Sequence, residues 1–308
     1  MIANQATMDH LPELEDYEII SCLGYGARST IYAVSEKKTG QVYALKRVVR
    51  KGPEDDRFLQ QAETEYSIAS QFDHPALRRC IRMIRKRKLL KVHELLLLME
   101  LVDGTSLDVH RPSNLVTLIK VFLQVASGLS AMHRLGYVHA DIKPNNILVN
   151  ENLSVKIIDF GQSCTMGTIK QRIQGTPDYI APEQVGRGPL TAATDVFNFG
   201  ATMYWCVTDH HIPTLIPKKK ADGEKEKPRE FKPPHEINPR IPMPLSRLIV
   251  DCVQNRPSHR PPDFNTVIPR LELALTVTKT EATVNDTQND TLSEIPESKD
   301  DTKDEESL

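Results

Sequence analysis

Three residues with complementary chemistry lie close together in the segment HADIKPNN, residues 139–146. Asp141 can orient and deprotonate a hydroxyl group, Lys143 can stabilise a transferring phosphoryl group, and Asn146 can offer an oxygen to Mg²⁺. Thirteen residues further on, the segment IIDFG places Asp159 at the end of a predicted strand, where its carboxylate can bind a hard cation. Each signal alone is modest, and their joint order is what indicates phosphoryl transfer.

Two segments nearer the N-terminus have residue types suited to a nucleotide. In LGYGARSTI, Gly24 and Gly26 leave backbone N–H groups open to phosphate oxygens, although an ordinary hairpin turn gives this pattern more often. Lys46 lies in the apolar run YALKRV, and a buried lysine needs an anionic partner. Glu63 and Glu65 on the following helix are the available carboxylates, and a purely structural ion pair is an equal alternative.

These residues must be positioned by a sheet in the first third of the chain. Alternating apolar and polar residues predict strands at 17–23 and 30–35, and the β-rich run QVYALKRVV predicts a third. Helical spacing predicts a helix over about 54–71, and the segments 80–87 and 94–101 return to strand. The first hundred residues therefore predict a sheet with one helix inserted after its third strand.

The rest of the chain is predicted to be mainly helical. One apolar stripe at helical spacing ends at Gly136, and the segment after Thr194, DVFNFGATMYWCV, is apolar on nearly all sides, as in a central buried helix. Residues 211–243 contain seven prolines and are predicted to be a solvated insertion rather than core. From about Thr276 the composition predicts a disordered acidic tail. The stripe consists of Leu115, Leu118, Ile119, Phe122, Val125, Ala126, Leu129 and Met132.

Composition excludes several classes of protein. The formal net charge is −2, and because residues 279–308 carry −7, residues 1–278 carry +5. That surplus suits an anionic ligand, but too few basic clusters contain aromatic residues to favour a nucleic acid. The five cysteines are scattered without a C-x-x-C pair, which argues against disulfides and zinc and for a reducing compartment. No secretory signal is evident and the longest apolar run, residues 95–99, is short, so we expect a cytoplasmic protein without a membrane span.

The order of these segments resembles the signature set of eukaryotic-type protein kinases. The matching segments are G-x-G, YALK, a helix glutamate, HADIKPNN, DFG and APE, and the resemblance covers about residues 17–275. GTPDYIAPE, residues 175–183, resembles the substrate-binding loop, and TDVFNFG resembles the helix whose aspartate braces the catalytic loop. The resemblance implies an α+β, bilobal protein-kinase fold. A small β-rich N-lobe with one regulatory helix would span about 17–100, and a larger, mainly helical C-lobe about 104–275.

The resemblance also implies a role for individual residues. Asp141 would accept the substrate hydroxyl hydrogen bond and Lys143 would lie by the γ-phosphate. Asn146 and Asp159 would bind Mg²⁺. The residues implied to bind ATP are Leu23, Gly24, Gly26, Ser29, Ile31, Ala44, Lys46, Glu65, Met99, Glu100 and Val102. Structural or regulatory roles are implied for Ala140, Thr176, Glu183, Asp195 and Arg260.

Within that set, the resemblance gives particular pairings. Lys46 would hold the α- and β-phosphates and pair with Glu65, which has the family's spacing to the His-Pro at the helix end. Met99 would be the gatekeeper beside adenine, with hydrogen bonds from the backbone near residues 100–102. Arg260 would pair with Glu183, the glutamate of A-P-E.

Two positions depart from the family pattern. Ser29 replaces the third glycine of the loop. Ala140 replaces the usual arginine, which in this family pairs with a phosphate on the activation loop and couples phosphorylation to loop order. The loop between Gly161 and Ala181 is also short, at nineteen residues. These features predict activity that does not require phosphorylation of the activation loop at Thr165, Thr168 or Thr176.

The predicted function is ATP- and Mg²⁺-dependent phosphorylation of protein substrates at serine or threonine. Lys143 and Thr176 indicate that subclass, with dual specificity as the lesser alternative. The main rival is a pseudokinase that serves as an ATP-binding scaffold, and the presence of Lys46, Asp141 and Asp159 argues against it. A small-molecule phosphotransferase of related fold is a third alternative, which GTPDYIAPE disfavours.

Regulation is predicted to come from outside the catalytic residues. We expect an N-terminal extension at residues 1–16, a Pro/Lys-rich insertion at 211–243 and the acidic tail at 276–308. A regulatory protein partner, the insertion or the tail would supply the input. Nucleic acid is not an expected partner.

Overall fold

A five-stranded antiparallel sheet forms the N-terminal part of the computed structural model, which describes residues 14–26, 28–213, 216 and 230–293. The sheet order is β1-β2-β3-β5-β4, and one helix, α1 (Asp56–Ala69), follows β3 as predicted. The strands are β1 (Tyr17–Tyr25), β2 (Ser29–Glu36), β3 (Val42–Val49), β4 (Cys80–Lys88) and β5 (Lys91–Glu100).

The run LLLL in β5 shows why this sheet is stable. Successive side chains of a strand point to opposite faces. Leu95 and Leu97 accordingly lie in the core shared with α1, whereas Leu96 and Leu98 lie in a second core with Tyr17 on the opposite face. Strand β5 is thus buried on both sides at the centre of the N-lobe.

The C-terminal part is mainly helical. Helix α2 (Leu115–Arg134) begins at Asn114, whose Oδ1 accepts a hydrogen bond from Thr117 N at 3.1 Å. By length and composition alone α2 could cross a membrane. However, 56% of its apolar stretch is buried inside the fold, where the helix packs against α7. The other helices are α3 (Pro182–Val185), α4 (Ala192–Thr208), α5 (Pro234–Ile237), α6 (Met243–Cys252) and α7 (Phe264–Ser293).

Two small sheets position the loops between the lobes. One contains β6 (Thr105–Ser106), β8 (Ile147–Val149) and β9 (Val155–Ile157), and the other pairs β7 (Tyr137–Val138) with β10 (Cys164–Thr165). The segment HADIKPNN connects β7 to β8, and Asp159 follows β9 by two residues. The arrangement confirms the α+β, bilobal fold.

The segment 211–243 is only partly a solvated insertion. Residues 214–215 and 217–229 lie outside the described residues, but the ends of the segment are packed. Ile212 and Ile241 are buried, and Phe231 stacks on Tyr204 of α4 with ring centroids 5.4 Å apart. The burial of these ends could not be predicted from the sequence, because isolated apolar residues between prolines show no helical or strand periodicity.

The prediction of disorder from Thr276 is wrong as far as Ser293, since α7 continues through these residues. Leu275 packs against the core, and Thr278 is buried with its Oγ1 donating to Ala274 O at 2.7 Å. Threonine hydroxyls that bond the carbonyl four residues earlier are compatible with a helix, which composition alone did not reveal. Residues 1–13 of the predicted extension at 1–16 and the tail beyond Ser293 lie outside the described residues.

Candidate active site

The loop HADIKPNN is fixed by one buried carboxylate. Asp195, in the first turn of α4, accepts hydrogen bonds from the backbone N–H of His139 at 2.8 Å and of Ala140 at 2.7 Å. His133 Nε2 lies 2.8 Å from the same carboxylate. Burial favours the protonated form of Asp195, but the His133 contact and the backbone N–H groups outweigh it and lower its pKa. An ionised Asp195 therefore holds the loop backbone in place.

Asp141, Lys143 and Thr176 form a closed set of contacts. Lys143 Nζ donates to Asp141 Oδ2 and to Thr176 Oγ1, both at 2.9 Å. Thr176 Oγ1 donates to Asp141 Oδ1, also at 2.9 Å. The structure thus joins the segment GTPDYIAPE to the loop HADIKPNN at the atoms for which the sequence predicts chemistry.

Lys46 of β3 connects the sheet to α1 and to the C-lobe. Its Nζ lies 2.6 Å from Glu65 Oε2 and 3.7 Å from Asp159 Oδ1. Burial favours the neutral amine, but Glu65 and Asp159 outweigh it and raise the pKa of Lys46. Lys46 therefore stays protonated, and Glu65 rather than Glu63 is its partner, as predicted, because Glu63 faces Arg85 instead.

Arg78 is a member of this cluster that the sequence did not reveal. Its NH2 group lies 3.3 Å from Glu65 Oε1, the carboxylate oxygen that Lys46 does not contact, and only 7% of the residue is exposed. Its backbone N–H donates to Ile157 O at 3.1 Å. Arg78 begins the basic run RRCIRMIRKRK, a sequence of a kind that is ordinarily exposed to solvent. Glu65 is thus held by two cations.

Asp159 and Asn146 suit Mg²⁺ by their chemistry. Asp159 adopts φ 63° and is followed by Phe160, which packs against Phe72 and His139 and so anchors the position. Burial favours protonation of Asp159, but the positive charge of Lys46 outweighs it and lowers its pKa.

The amide group of Asn146 completes the set. Its Nδ2 donates to Asp141 O at 2.9 Å, which leaves Oδ1 as the atom to face a cation. One carboxylate and one amide fit Mg²⁺, which takes few protein ligands and completes its shell with waters and phosphate oxygens. The described residues contain no cluster of three or more His, Cys, Asp or Glu that would suggest another metal.

The residues predicted to hold the nucleotide converge between the lobes. Strand register places Gly24 beside Ile31, Ile31 beside Lys46, and Ala44 beside the fully buried Met99. Leu23, by contrast, is half exposed. A Cβ at Gly26 would lie 2.6 Å from Ser29 Oγ, so a larger residue in the turn between β1 and β2 would require the Ser29 side chain to move.

The end of β5 and the residues after it include the backbone groups that were predicted to bind adenine. The N–H of Glu100 donates to Arg79 O at 3.1 Å, so this N–H is engaged within the fold. The side chain of Glu100 pairs with Lys156 at 2.7 Å and points away from that role. Within the described chain, no backbone hydrogen bond engages the N–H of Val102.

Ala140 lies in an apolar environment. It packs with Val138 and Leu190 in a small buried cluster to which Cys164 adds its side chain. Burial raises the pKa of the Cys164 thiol, so this cysteine is a neutral neighbour. Ala140 itself has φ 61° and is 2% exposed. Methyl groups and a thiol pack against Ala140, and a small cavity that Lys170 and Arg187 also line adjoins it.

Gln184 is a second residue that the sequence did not reveal. Its Nε2 donates to Ala140 O at 2.7 Å and to Gln174 O at 3.1 Å, and its Oε1 accepts from Ala181 N at 2.9 Å and Asn198 Nδ2 at 3.0 Å. Both amide donors and both lone pairs are satisfied in a residue that is 4% exposed. No sequence pattern marks this position.

The end of the substrate-binding segment is anchored by an ion pair. Arg260 donates to both carboxylate oxygens of Glu183, at 2.8 and 2.9 Å, and lies over the ring of Phe197. The pair was expected from the resemblance, and it joins A-P-E to the C-lobe scaffold. Bidentate geometry and burial make it a rigid contact.

The sequence is similar to kinase domains of bacteria and plants. The protein kinase domain family matches residues 17–267. A probable serine/threonine-protein kinase of Clostridium acetobutylicum is 25% identical over 275 residues, 83% of this chain and 39% of that protein. Mitogen-activated protein kinase kinases 7 and 9 of Arabidopsis thaliana are 34% and 33% identical, each over 67% of this chain and 68% of theirs. The chain thus spans less than half the length of the bacterial relative.

Proposed function

The chain belongs to the eukaryotic-type serine/threonine protein kinase family, and we propose that it transfers the γ-phosphoryl group of ATP to serine and threonine hydroxyls of proteins. The observation that carries the proposal is the contact set of Asp141, Lys143 and Thr176. It lies where the substrate-binding segment meets the catalytic loop. A scaffold protein would not need these three side chains in mutual hydrogen-bond contact.

The residues of this chain perform separable tasks in such a transfer. Asp141 accepts the hydrogen bond of the incoming hydroxyl and takes its proton, and Lys143 offsets negative charge beside it. Lys46, fixed by Glu65, holds phosphate oxygens of ATP. Asn146 and Asp159 would hold Mg²⁺, which supplies charge neutralisation at the phosphates when bound.

The test is turnover of Mg²⁺-ATP on a generic basic protein substrate. We expect phosphoserine and phosphothreonine, and a loss of about 10²- to 10⁴-fold in kcat for Asp141→Ala. Asp73→Ala, which removes an exposed aspartate outside the site, is the matched control. Equal rates for wild type and Asp141→Ala, or phosphorylation of small molecules only, would overturn the proposal.

We further propose that activity does not depend on activation-loop phosphorylation. The arginine that binds the phosphate in the family pattern is absent, and an alanine in an apolar cluster stands at position 140. Thr165 and Thr168 already bond to each other, with 3.0 Å between their hydroxyl oxygens.

The five cysteines are free, which supports a reducing compartment such as the cytoplasm.

Replacement of both threonines tests this second proposal. We expect Thr165→Ala plus Thr168→Ala to keep kcat within about twofold, because exposed substitutions away from the site have small effects. Loss of most turnover, restored by aspartate at the same positions, would show that a phosphate is required. Thr176 is unsuitable for this test because it contacts Asp141.

A further inference from the structure

The turn between β4 and β5 displays two leucines to solvent. Strand register pairs Lys88 with Lys91, so Leu89 and Leu90 alone form the turn. Leu89 is 95% exposed and Leu90 is 91% exposed, the highest values among the exposed large apolar residues of the described chain. Single exposed apolar residues are ordinary on protein surfaces, but an adjacent pair at a projecting tip is not a random scatter.

The backbone of this turn makes leucine an unexpected choice. Leu89 has φ 57°, whereas Leu90 is absent from the residues of positive φ. A two-residue hairpin turn with positive φ at its first position favours glycine there, and polar residues generally suit such turns. Leucine in a left-handed conformation is rare. The tip therefore bears side chains that neither packing nor turn geometry explains.

Positive charges flank the two leucines on both strands. Arg87, Lys88 and Lys91 are all exposed, and no ion pair between described residues includes any of them. The carboxylates near this hairpin already have partners, since Glu63 of α1 pairs with Arg85, Glu94 of β5 pairs with Arg47, and Asp56, which Lys91 also attracts, pairs with Arg50. An apolar tip thus projects from a ring of cations.

We propose that this tip binds the surface of an anionic phospholipid bilayer, with the leucines in the interfacial region and the cations at the headgroups. A convex pair of leucines needs no shaped pocket in a bilayer, whereas a stable protein interface needs roughly 800 Å² from each partner. Lysine and arginine beside an interfacial apolar group add attraction to anionic lipids. Strand β4 is the edge of the sheet, so the tip reaches the surface from an uncovered margin.

The test is co-sedimentation of the full chain with vesicles of phosphatidylcholine, with and without phosphatidylserine. We expect the wild type to pellet with the phosphatidylserine vesicles and to be released by high salt, which screens the charges. Lipid binding is measured without turnover, so its outcome is independent of the catalytic proposal.

One double variant removes the apolar tip without harming the hairpin. Leu89→Gly plus Leu90→Ser places glycine at the position of positive φ, so we expect a melting temperature equal to or above that of the wild type. Its vesicle affinity should fall about tenfold or more, because burial of one leucine alone is worth about that factor. The activity on a soluble protein substrate should be unchanged.

A charge variant and a matched turn complete the experiment. Arg87→Gln, Lys88→Gln and Lys91→Gln together should weaken binding by about fivefold per residue and abolish the preference for phosphatidylserine. Leu153→Gly changes another exposed turn leucine with positive φ, next to Glu151 rather than cations, and should bind like the wild type.

Three results would overturn the proposal. The first is a wild type that stays in the supernatant with both kinds of vesicle, as expected if the tip binds an acidic protein instead. The Leu89→Gly, Leu90→Ser variant would bind as well as the wild type. Alternatively, Leu153→Gly would lose as much affinity as that variant, which would place the contact elsewhere.

Discussion

The catalytic loop has two sides that are built from opposite kinds of residues. On the cleft side, Asp141 and Lys143 contact each other and Thr176 through charged and polar atoms. On the other side, Ala140 lies with Val138 in a buried apolar cluster. Asp141, whose carboxylate contacts polar groups, thus directly follows Ala140, whose methyl group packs in the apolar cluster.

This difference supports the proposal that activity does not depend on phosphorylation of the activation loop. The cleft side keeps the groups that the reaction requires. The apolar side has alanine where the family pattern has arginine, and Gln184 ties the loop to the substrate-binding segment through neutral hydrogen bonds.

The largest expected effect is on the cleft side. Lys46→Met removes the cation proposed to hold the phosphates, and we expect kcat/KM to fall about 10²- to 10³-fold, as for the loss of one strong electrostatic contact in a transition state. Glu65 keeps Arg78 as a partner, so the melting temperature should change little. Turnover above a tenth of the wild-type rate would show that Lys46 is structural.

The next effect concerns the apolar side. Ala140→Arg buries a charge without a partner and should lower the free energy of unfolding by about 3 kcal/mol. Ala140→Leu, a control of large volume without charge, should cost only about 1–3 kcal/mol from overpacking. Urea unfolding measures both. An arginine variant as stable as the wild type would mean that this side is open to charge after all.

A smaller effect is expected at Arg78, which holds the second oxygen of Glu65. Arg78→Met should raise the KM for ATP with kcat less changed, for a loss of about tenfold in kcat/KM. Arg78→Lys should recover part of it. A loss of stability with unchanged kinetics would assign Arg78 to the fold alone, and the ratio of KM to kcat effects decides between these roles.

The last effect is a loss of stability that begins only in acid, because Asp195 stays ionised at neutral pH. The folded-state pKa of Asp195 lies below its unfolded-state value of about 3.9, so its ionised form contributes stability that is complete above that pH. The contribution is lost as the pH falls below 3.9 towards the folded-state pKa. Urea unfolding from pH 7 downwards should show this decline, and Asp195→Asn should have a flatter profile.

The fold could be predicted from the sequence to the extent that periodicity expresses it. The sheet, helix α1 and the stripe of α2 all follow from apolar spacing, because one buried face sets a regular repeat. The ends of residues 211–243 and the continuation of α7 could not be predicted. Their contacts depend on a few residues, such as Ile212 and Thr278, whose surroundings exist only in the folded chain.

The candidate active site also contains residues that could be predicted from the sequence and residues that could not. Asp141, Lys46 and Asp159 stand in segments whose order along the chain is distinctive, and the structure brings them together. Arg78 and Gln184 stand in no such segment. In the sequence, Arg78 cannot be told from a surface arginine, because its carboxylate partner is known only from the structure. Gln184 likewise cannot be told from any other polar residue, although all four of its hydrogen bonds are satisfied in the fold.

The bonds of Gln184 bear on how the C-lobe opens. One side chain joins the catalytic loop at Ala140, the activation segment at Gln174, the start of α3 at Ala181 and α4 at Asn198. Local unfolding of any one of these segments breaks a bond to the buried Gln184 that the others share. Their amide protons should therefore exchange with solvent in step, as one cooperative unit, rather than segment by segment.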